Sequence, residues 1–269
     1  MQDDTTTLDL LTTFPIFRPV SAGTYAMWEP LILKEIQAFP DALHTLAKFT
    51  PAVPYTTSDE FHAQLERSEQ LEEFAEAFSR HGSDKSSGHD YHKIYATLFP
   101  EPHLVRNVLE IGLGTFNSDV VSNMGANGKP GASLRAFREL FRRANIYGCD
   151  VDRRVLFEEP RIRTFFVDQH EPQTFLDLGQ QIAVLEPDGF DLMIDDGLHA
   201  PTANLHALAF FIEKLAVGGY CVVEDIGHMA LPVWQTVGAL LRGIMESTIV
   251  RCRSSFAFVG RKRVILPTS

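Results

Sequence analysis

Cysteine is scarce in this 269-residue chain: Cys149, Cys221 and Cys252 are three, an odd number, and lie far apart. That argues against a disulfide framework and against a cysteine-ligated zinc site. Basic charge is also short, with 24 Lys and Arg against 35 Asp and Glu and a net charge of −11. A general nucleic-acid binder needs a basic surface to neutralise phosphates, so no nucleic-acid partner is expected. No apolar run approaches the roughly 20 residues that cross a bilayer. The start, Met1-Gln2-Asp3-Asp4, lacks the basic and apolar regions of a signal peptide. A cytoplasmic protein with no membrane partner is therefore expected.

What is present is ordinary globular composition, 45% hydrophobic and 22% charged, which excludes disorder of the whole chain. The length suits one large domain, or a domain with an accessory segment. The acidity is uneven: residues 1–80 hold 5 basic and 13 acidic residues, whereas residues 81–269 hold 19 and 22. The excess negative charge thus belongs mostly to an N-terminal attachment. Residues 1–25 show no sustained period and read as an irregular arm. Apolar residues then fall at helical spacings from Trp28 to Phe49, and a second helical pattern runs from Ser58 through Phe61, Leu65, Leu71, Phe74 and Phe78. Residues 1–80 are expected to form an N-terminal helical segment, either packed cover, a lid or an assembly contact. Residues 81–269 form the main domain.

After residue 100, short β-branched runs alternate with helical stretches. Strands are predicted at Asn107–Ile111, Ile146–Asp150, Ile162–Val167, Phe190–Ile194 and Tyr220–Val223, with Gly218-Gly219 as a turn before the last. Helices are predicted over Ala132–Ala144, Thr202–Leu215 and Leu231–Met245, and two final strand-like runs over Thr248–Arg253 and Phe256–Leu266. The alternation implies an α/β fold of Rossmann-like type, with a seven-stranded, mostly parallel sheet and helices on both faces. Ligands of such sheets sit beyond the C-terminal strand ends.

Those ends carry the chemistry. The first strand exits through Glu110-Ile-Gly112-Leu-Gly114, where glycines let a nucleotide-like ligand approach the backbone. The third glycine of a dinucleotide fingerprint is missing, since Asn117 holds its place, which disfavours a dehydrogenase. The second strand ends in Asp150, a carboxylate placed to accept from ribose hydroxyls; the excess spacing from Gly114 is explained by an insertion at Asn117–Pro130. The third ends Asp168-Gln169, able to read an adenine edge. Taken singly, each is also an ordinary loop acid or cap. The fourth strand ends Asp195-Asp196-Gly197-Leu198-His199 and the fifth Glu224-Asp225. If adjacent, these ends gather four carboxylates, which persist together when a cation such as Mg²⁺ neutralises them or when some are protonated. His199 stands where it can act as a general base. The plainer reading is that one Asp caps the following helix, His199 packs and Glu224-Asp225 is solvated.

The combination of Val108-Leu-Glu110-Ile-Gly112-Leu-Gly114, Gly131-Ala-Ser133 and Tyr147-Gly-Cys-Asp150-Val-Asp152 resembles the class I S-adenosylmethionine (SAM) dependent methyltransferases. The motifs Ile194-Asp-Asp-Gly-Leu-His199 and Val223-Glu-Asp225 narrow the resemblance to metal-dependent O-methyltransferases that modify sugars of macrolide and aminocoumarin antibiotics. It spans roughly residues 81–226. It implies SAM and Mg²⁺ as cofactors, with Asp196, Glu224 and Asp225 as metal ligands and His199 as base. The segment Ser83-Asp84-Lys85…His89-Asp90-Tyr91…Tyr95 resembles the stretch preceding the SAM fold, which places Tyr91 and Tyr95 beside the cofactor, together with Glu110, Gly112, Gly114, Ser133, Asp150, Asp168, Gln169 and Asp195. The expected function is O-methylation of a hydroxyl on a small-molecule acceptor by a homodimer or larger homo-oligomer. A metal-independent carboxylate or phenol methyltransferase and a non-catalytic scaffold of the same fold remain as alternatives.

Overall fold

A computed structural model describes residues 52–63 and 68–264, with four single positions before them, 38, 42, 45 and 49. The irregular arm and most of the first helical pattern lie outside the described residues. Thr57 acts as a helix cap near the start of the continuously described residues. Its side chain accepts from the Glu60 amide, and Glu60 accepts from the Thr57 amide in return. This reciprocal cap satisfies two otherwise unpaired amides and joins strand β1 (Tyr55–Thr57) to helix α1 (Ser58–His62). Helix α2 (Ser68–His81) follows, and its Phe74 and Phe78 are fully buried.

The remaining elements are α3 (Tyr91–Leu98), β2 (Asn107–Ile111), α4 (Ala132–Leu140), β3 (Asn145–Asp150), β4 (Glu158–Glu159), β5 (Ile162–Phe166), α5 (Pro172–Leu185) and β6 (Phe190–Asp195). Then come α6 (Pro201–Lys214), β7 (Leu215–Ile226), α7 (Leu231–Leu240), β8 (Met245–Arg251) and β9 (Phe256–Lys262). The strands form one sheet in the order β1-β8-β9-β7-β6-β2-β3-β5-β4. It has nine strands rather than the seven expected. The two extra strands lie at its edges, β1 parallel to β8 and β4 antiparallel to β5. With three and two residues, both are too short to show alternation in sequence.

Successive strand residues feed opposite faces, so Val108 belongs to one apolar core and Leu109 to the other. The first core is closed by α2, α3 and α4, where the Phe78 and Phe137 rings meet edge to face at 5.2 Å. The second is closed by α5, α6 and α7. The acidic N-terminal segment therefore supplies core side chains through α2.

Two expectations are corrected. Gly218-Gly219 is not a turn before a strand but lies inside β7, which begins at Leu215 and pairs with β6 across a register shift. A side chain at Gly219 would fall 2.6 Å from the Phe190 carbonyl oxygen, so the glycine permits the close strand approach. The helix expected to reach Met245 ends at Leu240; a 3₁₀ turn over Leu241–Gly243 follows, and Met245 already begins β8.

The strand order reverses at β2, which has β3 on one side and β6 on the other. Connections leave in opposite directions there and open a crevice above the strand ends.

Candidate active site

At the exit of β2, Gly112 adopts φ 94°, and a Cβ there would lie 2.0 Å from the Asp196 carbonyl oxygen. Only glycine allows that approach. The Gly112 amide donates to the Cys149 carbonyl, and the Asp196 amide donates to the Ile111 carbonyl, both at 2.8 Å. The loop is thereby tied to both neighbouring strand ends. Asp150 accepts from the Leu113 amide and the Asp152 amide, each at 2.8 Å. Asp168 accepts from the His170 amide at 2.9 Å. A cleft of about 430 Å³ lies over these residues, lined by Gly112, Gly114, Asp150, Asp168 and Gln169.

Not every expected cofactor contact presents itself freely. The Gln169 amide donates to Asp195 at 2.8 Å while its oxygen accepts from the Leu198 amide at 2.9 Å. Asp195 is fully buried and also accepts from Asn204 at 2.8 Å. Both residues brace the loop after β6, and burial pushes the Asp195 carboxyl above its ordinary range. The insertion after Thr115 reaches over the cleft: Arg154 forms two bonds to Asp119, at 2.9 and 3.1 Å, and Met124 lies against Gly114.

A second cleft of about 480 Å³ continues from the first and is lined by Asp84, His89, Tyr91, Asp196, His199 and Asp225 among others. Asp196, His199 and Asp225 each offer a ligand atom, all within 4.8 Å of one another. His199 and Asp225 hold φ values of 58° and 53°, the left-handed region that non-glycine residues seldom occupy outside constrained sites. Asp225 is held in place by Tyr91, whose hydroxyl donates to Oδ1 at 2.8 Å and accepts from the Asp225 amide at 2.9 Å. His89 Nδ1 lies 3.2 Å from the same carboxylate, and its Nε2 lies 3.5 Å from Asp84. Burial pushes the Asp225 carboxyl up, but the hydrogen bonds from His89 and Tyr91 outweigh it and hold the group well below the carboxylate range. Hydrogen bonds to Asp225 and Asp84 raise His89 to about 10.

Lys85, 1% exposed, lies in the wall of the second cleft. Its Nζ lies 2.7 Å from Asp196 Oδ2 and 3.1 Å from Glu110 Oε1, and it pairs directly with Glu224. Glu110 and Glu224 are fully buried. Tyr95 donates to the other oxygen of Glu224, and Ser133 donates to Glu110. Burial works against the charge on Lys85, but the Asp196, Glu224 and Glu110 carboxylates overcome it and hold the ammonium well above its ordinary value.

Asp196 and Asp225 converge with His199, and Glu224 lines the same cleft with its oxygens bonded to Lys85 and Tyr95. Tyr95 and Ser133, expected at the cofactor, serve as partners of the two buried glutamates. The plainer reading of this end fails: Ala200 precedes α6 with no side-chain cap, and Glu224 is buried rather than solvated. Lys85 and His89 were present in the Ser83–Tyr95 motif, yet nothing in that motif ties Lys85 to residues 111 and 139 positions further on. The oxygen donors of Asp196 and Asp225, both facing the cleft, suit a hard divalent cation such as Mg²⁺. Among the described residues, no helix is long and apolar enough to cross a membrane.

No family model matches the chain. Among curated proteins, it is 33% identical over 157 residues to the 8-demethyl-8-alpha-L-rhamnosyl tetracenomycin-C 2'-O-methyltransferase of Streptomyces olivaceus, covering 58% of this chain and 38% of that protein. It is 34% identical over 119 residues to the mycinamicin VI 2''-O-methyltransferase of Micromonospora griseorubida, covering 44% of this chain and 27% of that protein. The chain thus spans well under half the length of these relatives. Among solved structures, the MycE methyltransferase of the mycinamycin pathway, in complex with Mg, S-adenosylhomocysteine (SAH) and mycinamycin VI, aligns with a TM-score of 0.55 and 23% identity. That alignment covers 71% of this chain and 55% of MycE. The likeness shows the fold, that of a class I SAM-dependent methyltransferase, and the chain resembles sugar O-methyltransferases of antibiotic biosynthesis in sequence.

Proposed function

We propose that this chain carries out SAM-dependent O-methylation of a hydroxyl on a small natural-product acceptor with sugar-like character. The observation that carries the reading is the continuous pair of clefts over the strand ends. Asp150 lies at one end, Asp196, His199 and Asp225 lie at the other, and the Gly112-Leu113-Gly114 turn runs between them.

In this reading Asp150 accepts from the ribose hydroxyls of SAM, its carboxylate already aimed by two backbone amides. Asp168 lies further along the adenosine end. The acceptor occupies the second cleft, where Asp84, Asn123, Asn127 and Lys129 offer hydrogen-bonding groups to a polyhydroxylated ligand. His199 takes the proton from the acceptor hydroxyl. The oxygen then attacks the methyl carbon in line, a carbon–oxygen bond forms as the carbon–sulfur bond breaks, and SAH leaves. Asp196 and Asp225 would hold a divalent cation, which when bound lowers the pKa of the acceptor hydroxyl and stabilises developing oxyanion charge. Holding oxygen and methyl in near-attack geometry supplies much of the remaining acceleration.

The test is mass-spectrometric detection of methyl transfer from SAM to a panel of glycosylated polyketides, with and without chelator, beside calorimetry with SAH. Product formation that chelator abolishes fits the proposal. SAH binding with chelator-resistant methylation of carboxylates replaces it with the metal-free alternative, and failure to bind SAH removes the enzyme reading.

A further inference from the structure

We propose that residues 117–130 are the acceptor-selecting element of this protein, and that their position is set from the cofactor side through Asp152 and Arg154. The inference rests on the proposed function and deepens it.

The segment roofs both clefts. Val120 and Val121 line the first, Asn127 and Lys129 line the second, and Ser122, at φ 60°, lines both. None of its residues belongs to either apolar core, so hydrogen bonds largely decide where it sits. Its base is pinned by the Met124 amide, which donates to the Thr115 carbonyl at 2.7 Å, and by the Gly131 amide, which donates to the Leu113 carbonyl at 2.8 Å. Its anchor is Asp152, 4% exposed. That carboxylate accepts from the Thr115 hydroxyl and the Asn117 side-chain amide, each at 2.7 Å, and from Arg154 Nε at 2.6 Å. Arg154 then forks onto Asp119. Because the Asp152 amide donates to Asp150, one turn carries both the carboxylate proposed for the ribose and the anchor of the roof. The Arg154–Asp119 pair is exposed, and such pairs add little stability. A ligand that touches residues 119–122 can therefore bias the segment, since a ligand shifts an equilibrium by its differential contacts. At the other end, a Cβ on Gly114 would lie 2.2 Å from Met124 Cε, and one on Gly82 would lie 2.8 Å from Lys129 Cδ. The roof thus spans from the ribose turn to the segment before α3, over the acceptor cleft. There the side chains of Asn127 and Lys129 form no hydrogen bond or ion pair with any described residue, which leaves an amide and an ammonium to read the hydroxyls of an acceptor. Asp152 and Arg154 are positioning residues, acting on the acceptor through the segment they hold.

The test follows hydrogen exchange of the full-length chain by mass spectrometry, with and without SAH at a concentration that calorimetry shows to be saturating. In the wild type, SAH should slow exchange over residues 123–130, on the acceptor side, about fivefold, the scale of one exposed ion pair. In Arg154→Ala that slowing should vanish, while the Leu113 amide, bonded to Asp150, stays protected by SAH. If Arg154→Ala does not fold, Asp119→Ala removes the same fork from an exposed position. Lys129→Ala should raise KM for a glycosylated polyketide that the wild type methylates by roughly tenfold, the scale of a hydrogen bond to a charged group, with kcat and SAH affinity kept. Exchange over residues 123–130 that ignores saturating SAH, or that slows equally in wild type and both fork variants, overturns the inference and leaves the methyltransferase reading intact. An unchanged KM in Lys129→Ala likewise removes the segment from acceptor selection. Failure of the wild type to bind SAH overturns the inference and the enzyme reading together.

Discussion

At the end of the cleft proposed for adenosine, Asp150 and Asp168 take their hydrogen bonds from backbone amides of strand-exit turns, those of Leu113, Asp152 and His170. At the acidic end, Asp196, Glu224 and Asp225 depend on the side chains of Lys85, Tyr95 and Tyr91, which lie 111 to 139 residues earlier in the chain. The first arrangement is built into the local path of the backbone. It needs only the glycines that let that path turn. The second exists only once α3 and the segment before it have packed against the far strands. The adenosine end should therefore tolerate side-chain changes elsewhere, while the acidic end should respond to changes at residues 85–95.

The sharpest test of this independence is catalytic. His199→Ala should lower kcat by roughly 10²–10⁴-fold, the usual loss for a missing general base, with a smaller deficit at high pH where the acceptor ionises unaided. Asp196→Asn should also reduce turnover steeply, and SAM affinity should stay close to wild type in both. Calorimetry showing a parallel loss of SAM binding would mean that the two ends form one unit.

Stability comes next in size. Lys85→Met leaves three carboxylates without their counter-charge, two of them fully buried, and should cost about 3–5 kcal/mol in urea unfolding. Divalent cation should recover part of that loss. A variant as stable as wild type would show that Glu110 and Glu224 are protonated in the folded protein and need no partner.

The same contrast explains what could be read in the sequence. Strand ends, the Gly112 and Gly114 turn, and the acids at 150, 168, 196 and 225 follow from short-range patterns: apolar runs of strand length, glycines, then a carboxylate. The position of Asp196, His199 and Asp225 around one point follows from the parallel pairing of β6 and β7, which the sequence left as a condition and the structure supplies. The partners of these acids were not legible. A lysine in a polar segment, such as Lys85, has the sequence signature of a solvated residue, and only packing of the α3 region makes it a buried hub. Likewise, Gln169 and Asp195 look like free ligand contacts until Asn204 and the Leu198 amide are brought to them. Edge strands β1 and β4 carry too few residues to announce themselves.

The adenosine end has its own, smaller test. Asp150→Asn keeps an acceptor oxygen but removes the charge, so SAM and SAH should bind more weakly by about 1.5–3 kcal/mol, the value of a hydrogen bond to a charged group. Turnover at saturating SAM should change little, because His199 and Asp196 are untouched. Unaltered affinity in that variant would move the ribose contact elsewhere in the cleft.

The smallest effect concerns His89, which joins the α3 region to Asp225 and whose ring stacks on Tyr91 with centroids 5.2 Å apart. Its folded pKa is raised from 6.5 to about 10, first through its hydrogen bond to Asp225 and then through that to Asp84. A histidine shifted upward stabilises the fold fully below its unfolded value and loses that contribution as pH rises through the folded one. The difference in urea midpoint between wild type and His89→Gln, measured without divalent cation, should thus be largest near pH 6 and shrink toward pH 10. Water reaches this pair, so the full effect should be on the order of 1 kcal/mol. Asp225 has the opposite dependence, since its folded pKa is depressed, and its share fades only when pH falls below the ordinary carboxylate range. The two together define a plateau between mildly acidic and neutral pH. A difference that stays constant from pH 6 to pH 10 would assign the role of His89 to its ring stacked on Tyr91 rather than to its charge.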